Sequence, residues 1–222
     1  MSPSANPCRT MIHPNRRQVL SGLASGLAGL LVTPTAPAAA TASTGPKQPH
    51  TAAALIGAAR AQVGVTLVYD PAYTSLAFPG GDVARGKGVC TDVLVRAYRD
   101  AFGIDLQSLI NADMRANFGA YPTRWGLAKA DANIDHRRVL NLVTYFTRQG
   151  GKLPIPVAPQ EWRPGDNFTS LVGGKLPHIG IISDKNGQGG PLILHNIGAG
   201  AREEDALSAD PLTGRYRFGL DA

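Results

Sequence analysis

At Gly150 the hydrophobic pattern changes period, and that change restricts the fold more than any other feature of the chain. Before it, apolar residues recur every three or four positions, as the buried stripe of a helix requires. After it they come in short runs separated by glycine and proline, the pattern of strands and turns. A helical first half followed by a stranded second half predicts an α+β domain, with N-terminal helices packed on a C-terminal antiparallel sheet.

Within the first half, residues 51–63 place Leu55, Ile56, Ala59 and Val63 near helical spacing and predict an opening helix that ends at Gly64. Residues 66–69 read as a short strand, and Asp70-Pro71 begins a glycine-rich loop that runs to Gly88. From Cys90 to Phe102, Val93, Leu94, Ala97, Tyr98 and Ala101 make one buried face, with Asp92, Arg96 and Arg99 on the rest of the turn and Gly103 as the stop. Two further helices are predicted over 106–118 and 134–149. The second buries Val139, Leu142, Val143 and Phe146 and carries Asp135-His136-Arg137-Arg138 in its opening turn. In the second half, strands are predicted over 166–169, 178–183 and 192–195, with 186–190 as a glycine-lengthened hairpin turn and 215–220 as a last strand.

The first 42 residues read as an address. Arg16-Arg17 stands just ahead of an uncharged segment, 21–32, that is too short to span a bilayer, and small residues at 38–42 suit a signal peptidase. The pair resembles a twin-arginine export signal, although Asn15 stands where that signal prefers Ser or Thr. The expected organisation is therefore a signal over 1–42, a flexible lead-in over 43–50 and a single domain over 51–222, periplasmic or extracellular, with no stable membrane span once the signal is removed. The full chain carries +6; losing Arg9, Arg16 and Arg17 leaves 19 basic and 16 acidic residues, a net of +3. That mild excess suits contact with acidic envelope polymers, and the absence of a basic run with interleaved aromatics argues against nucleic acid. Cys8 departs with the signal, so Cys90 has no intrachain partner for a disulfide.

A lone thiol in an exported protein asks for a role. Cys90 falls at the first turn of a predicted helix, where unpaired N–H groups and the dipole favour a thiolate. His178 opens one predicted strand and His195 closes the next, so an antiparallel hairpin makes the imidazoles neighbours. His178 is then the expected base, and His195 the group that orients it, with Asp184 or Asn196 as alternatives. The structural alternative for each histidine is a satisfied core residue, and for Cys90 a small buried hydrophobe. Tyr69, Asp92, His136, Arg137 and Asn196 are candidates for substrate-binding or supporting roles, while solvated cations are the competing reading of the cluster at 135–138. Asp92 and Asp166 fit a cap and a turn, and Trp125 and Trp162 fit buried packing, with the lining of a groove as the alternative. Cys90, His136, His178 and His195 lack the short spacing of a zinc motif, so neither metal nor cofactor is expected.

Arg163-Pro164-Gly165-Asp166, His178-Ile179-Gly180-Ile181-Ile182 and Leu194-His195 resemble the pattern of NlpC-type cysteine peptidases of bacterial cell walls, as does Tyr69 ahead of Cys90-Thr91-Asp92. The resemblance implies a papain-like fold with Cys90 as nucleophile, His178 as base and His195 as orienting residue. Val89 departs from it, standing where the family has Asp, and the stretch 106–149 is longer than the family pattern. Over most of the mature chain the sequence also resembles the bacterial family called domain of unknown function 1287, through residues 88–92, 105–107, 133–139, 164–166 and 195–198. Together these imply an exported Cys–His hydrolase that cleaves an amide or peptide bond, with cell-wall peptide as substrate, through a thioester. A non-catalytic envelope-binding module using the same groove, or an acyltransferase of the same fold, are the alternatives.

Overall fold

The computed structural model describes residues 49–221; the expected signal, Cys8 and the lead-in up to residue 48 lie outside the described residues. Helix α1 (Ala52–Arg60) begins where the Thr51 hydroxyl accepts the Ala54 N–H, and it buries Leu55, Ile56 and Ala59. It stops three residues before the predicted end, because Ala61–Val65 turn back in successive tight turns. A pair of two-residue strands, β1 (Val68–Tyr69) and β2 (Lys87–Gly88), then runs parallel and closes the glycine-rich loop onto itself.

Helix α2 (Cys90–Phe102) is the axis of the domain. It ends at Gly103, whose left-handed φ of 67° lets its N–H reach back to the carbonyl of Arg99. The predicted division into an apolar face and a solvent face is only half right: every residue from Cys90 to Tyr98 is buried. Arg96 is fully buried because the loop between β1 and β2 folds over that side of the helix. Its guanidinium pairs with Asp82 at 2.8 Å and also donates to Thr66 Oγ1 and to the carbonyls of Val83 and Lys87. A charge this deep is tolerated because its donors are so fully matched.

Helix α3 (Leu106–Ala116) and a 3-10 turn at Phe118–Ala120 follow. The long helix predicted from 134 is divided: Asp135–Arg137 form a 3-10 turn, and α4 (Val139–Arg148) starts only after Arg138 leaves helical geometry. Beyond Gly150 come β3 (Lys152–Leu153), β4 (Asn167–Val172), β5 (Leu176–Asn186), β6 (Pro191–Asn196), β7 (Ala201–Glu204) and β8 (Leu212–Tyr216). They form one antiparallel sheet in the order β3-β8-β4-β5-β6-β7. The α+β class is therefore correct. The last strand lies over 212–216 rather than 215–220, and β7 was not predicted. Among the described residues no helix is long and apolar enough to cross a membrane.

Alternation along the strands creates two cores. Ile179, Ile181 and Leu194 face α2 and join the main core with Tyr98, Leu142 and Phe146. Phe168, Ile182 and Ile193 point to the other side and pack with Trp162 and Leu207. Gly180 lies opposite Phe168, and a Cβ there would come within 2.6 Å of the Phe168 ring and 2.9 Å of the Leu194 carbonyl. Gly180→Ala is expected to cost about 1–3 kcal/mol, read as a lowered urea midpoint at unchanged slope.

Candidate functional site

Cys90 is the first residue of α2 and 4% exposed, at the floor of a cavity of about 240 Å³ that it shares with Tyr69, Trp125, Arg137 and Pro177. The backbone N–H groups of Ile179, Thr91 and Cys90 itself lie near its sulfur. These contacts favour a thiolate, but burial outweighs them and the negative Asp92 adds to it, pushing the thiol up to about 11. The expectation that the helix start lowers this thiol is therefore corrected: desolvation wins over the N–H donors. Tyr69, facing the same cavity, is pushed up to about 12, chiefly by burial.

Three buried side chains hold the segment that carries the thiol. Asp92 Oδ2 accepts the Val89 N–H at 2.7 Å, and the same carboxylate pairs with Arg137 at 2.9 Å. Arg137 donates its remaining N–H groups to the carbonyls of Asp70 and Ala72, so one guanidinium ties the start of α2 to the loop beside Tyr69. Asn196, at the end of β6, donates to the Gly88 carbonyl at 3.1 Å and fastens the sheet to the same segment. Asp92 is thus the cap expected of it and also one half of a buried ion pair. His136 is buried, its Nδ1 has no hydrogen-bond partner among the described residues, and burial pushes it down to about 4.

His178 and His195 do meet. His178 Nε2 lies 2.8 Å from His195 Nδ1, and His195 Nε2 lies 2.7 Å from Glu204 Oε1. Of the three candidates for orienting His178, His195 is the one bonded to it; Asp184 pairs with Arg60, and Asn196 faces Gly88. Glu204 was missed because 202–204 is a charged run that gives no strand signal. Burial, followed by the neighbouring His195, pushes His178 down to about 3. Burial also lowers His195, with Glu204 opposing it.

Cys90 touches β5 at Ile179, the residue next to His178. The His178 ring itself lies on the Phe168 side of the strand, 6.0 Å from that ring, while Ile179 and Ile181 face α2. Among the described residues no hydrogen bond joins Cys90 to His178; the imidazole's bond goes to His195. The fold therefore brings the predicted nucleophile against the strand residue next to the predicted base but leaves the imidazole on the opposite face of β5, in a separate pocket with Phe168, His195 and Glu204. Trp125, expected to be packed away, is half-buried and lines the Cys90 cavity under the Arg138 guanidinium, 4.4 Å from its ring centre. Trp162 is buried as expected. No group of three or more metal-binding side chains comes together among the described residues.

The depressed histidines make a prediction about acid. Between pH 6.5 and their folded values the unfolded chain binds protons that folded His136, His178 and His195 refuse. Stability is thus complete above about pH 6.5 and declines as pH falls toward about 4, by on the order of a few kcal/mol in all. Carboxylates such as Glu203, which Arg60 holds down to about 2, add their loss only below about pH 4.5. Urea midpoints measured from pH 7.5 down to pH 4 test this, and a flat profile through that window would contradict it.

The family profile described as "Domain of unknown function (DUF1287)" matches residues 56–218, which takes in α2, the whole sheet and every site residue named above. The chain is also 46% identical over 172 residues to the uncharacterized protein YijF of Escherichia coli (strain K12), covering 77% of this chain and 83% of that protein. The profile match spans the helices and strands that position Cys90 and the histidine pair, and with it and a relative of this identity over most of the chain, the chain belongs to the DUF1287 family.

Proposed function

We propose that the protein is an exported cysteine hydrolase that cleaves an amide or peptide bond, with bacterial cell-wall peptide as its substrate, on a papain-like scaffold of the NlpC type. The observation that carries this reading is the position of Cys90: a helix-start thiol on a cavity floor, against the strand residue that follows His178, with His178 in a chain to His195 and Glu204.

In this mechanism the resting pair is neutral, and catalysis requires the start of β5 to turn over as substrate fills the cavity, because a rotamer change alone cannot carry the His178 ring from the Phe168 face of the strand to Cys90 on the other. The imidazole takes the thiol proton while sulfur attacks the carbonyl carbon. Collapse of the tetrahedral adduct breaks the C–N bond; the amine leaves with the proton from His178, and the acyl group stays on sulfur as a thioester. Water, deprotonated by the same imidazole, then releases the carboxylic acid and restores the thiol. His195, anchored by Glu204, steadies the imidazolium, and N–H groups at the start of α2 are the candidates for stabilising the oxyanion. Incubating purified wall fragments with the wild type and with Cys90→Ala, then identifying new amine and carboxyl ends, tests the proposal. Identical products from the two would overturn it.

The raised thiol favours one second reading. A neutral, buried Cys90 is also compatible with a cavity that binds envelope peptide without cutting it. Retention of wall fragments by the wild type with no new ends is the signature of that module. Transfer of the acyl group to an added amine would instead mark an acyltransferase.

A further inference from the structure

We infer that the Cys90 cleft contains a carboxylate-binding subsite formed by Arg124 and Arg138 against Trp125, so that its ligand is a peptide carrying a free carboxylate beside the attacked bond. This deepens the hydrolase reading and rests on it for the word "attacked"; the subsite itself stands on the charge of the cleft.

The cavity wall includes three arginines, Arg124, Arg137 and Arg138, and no acidic side chain. Their charges are not equally spoken for. Arg137 is fully engaged beneath the floor by Asp92 and by two backbone carbonyls. Arg138 has a single contact with Asp135 at 3.2 Å, which leaves most of its guanidinium edge open. Arg124 is exposed and forms no ion pair among the described residues. The cleft therefore presents more positive charge than its own carboxylates neutralise, at a wall whose inner end is the thiol.

Trp125 gives that charge a shape. The Arg138 guanidinium lies 4.4 Å from the indole ring centre and that of Arg124 5.9 Å. A guanidinium held by its face on an aromatic ring keeps its N–H edge free, and that planar edge matches the two oxygens of a carboxylate. Two such edges over one indole make a receptor for a carboxylate, whereas a neutral amide would meet donors only and a cation would be repelled. The cavity holds on the order of one or two amino-acid residues, so a carboxylate bound there sits close to any carbonyl within reach of Cys90. Tyr69 and Pro71 complete the wall.

The test uses acetyl-Ala-Glu-Ala-amide and its glutamine counterpart, titrated calorimetrically into the Cys90→Ala protein so that no turnover intervenes. The acid is expected to bind at least about ten-fold more tightly than the amide, and to lose that advantage as salt is raised. Arg124→Gln, at an exposed position that leaves the fold alone, should reduce the preference several-fold. Arg124→Gln combined with Arg138→Gln should bring it near unity while the amide binds as before. Equal affinity for the two peptides, absence of binding by both, or a preference that survives the double change overturns the subsite. A preference of the expected kind in Cys90→Ala, with no new ends formed by the wild type, supports the subsite and separately overturns the hydrolase reading.

Discussion

Under the proposed hydrolase function, Cys90→Ala is expected to lower turnover by about 10⁴-fold or more while leaving the folded domain intact. The reason lies in what the thiol does and does not hold together. As a nucleophile it has no substitute nearby: the remaining cavity wall offers a phenol pushed up to about 12 and guanidinium groups, none of which forms an acyl intermediate at neutral pH. As a structural element it is small, and truncating it removes one buried sulfur, a loss of about 1 kcal/mol. Circular dichroism and the urea midpoint should therefore change little while product formation disappears. Cys90→Ser sharpens the result, because it keeps the shape but puts a much weaker nucleophile at a desolvated position; near-normal turnover there would argue that the group at 90 does not attack the substrate.

The second large effect is on stability. Arg137→Ala is expected to cost about 3–5 kcal/mol, because it strands the buried Asp92 carboxylate and frees the carbonyls of Asp70 and Ala72. For a domain of this size that corresponds to a drop of roughly 10 °C or more in melting temperature. Asp92→Ala should cost a similar amount, since it leaves a buried guanidinium and an unpaired Val89 N–H. Replacing both, Asp92→Leu with Arg137→Met, should recover much of the loss, since the penalty belongs mostly to the charge left behind. Additive losses in the double variant would show that each residue acts through separate contacts.

The sequence made some of this legible and hid the rest for identifiable reasons. Periodicity located α2 to the residue, because apolar spacing and Gly103 agree on the same element. The β5-β6 hairpin was readable from two apolar runs flanking a glycine turn, and it carried the histidine pair with it. What periodicity cannot see is which polar face another segment will cover. Arg96 falls off the apolar stripe, yet the loop before α2 buries it, and Arg137 from the turn before α4 covers Asp92; both are long-range events with no local signature. Glu204 was invisible for the converse reason: β7 is an edge strand made of charged residues, and it exists because β6 offers it a free edge. The state of the thiol was misjudged because a helix start is a local feature, whereas desolvation is summed over everything packed around it.

Successive glutamates on β7 point in opposite directions. Glu203 reaches Arg60, Ser183 and Lys185 on one side, and Glu204 reaches His195 on the other. A slip of one residue along β6 would exchange the two, so the Arg60–Glu203 ion pair works as a key that fits in a single register. Arg60, at the end of the first helix, thereby governs the alignment of the imidazole chain without touching it. A charge change at Arg60 is then expected to loosen that register, and amide exchange rates along β7 would be where it first shows.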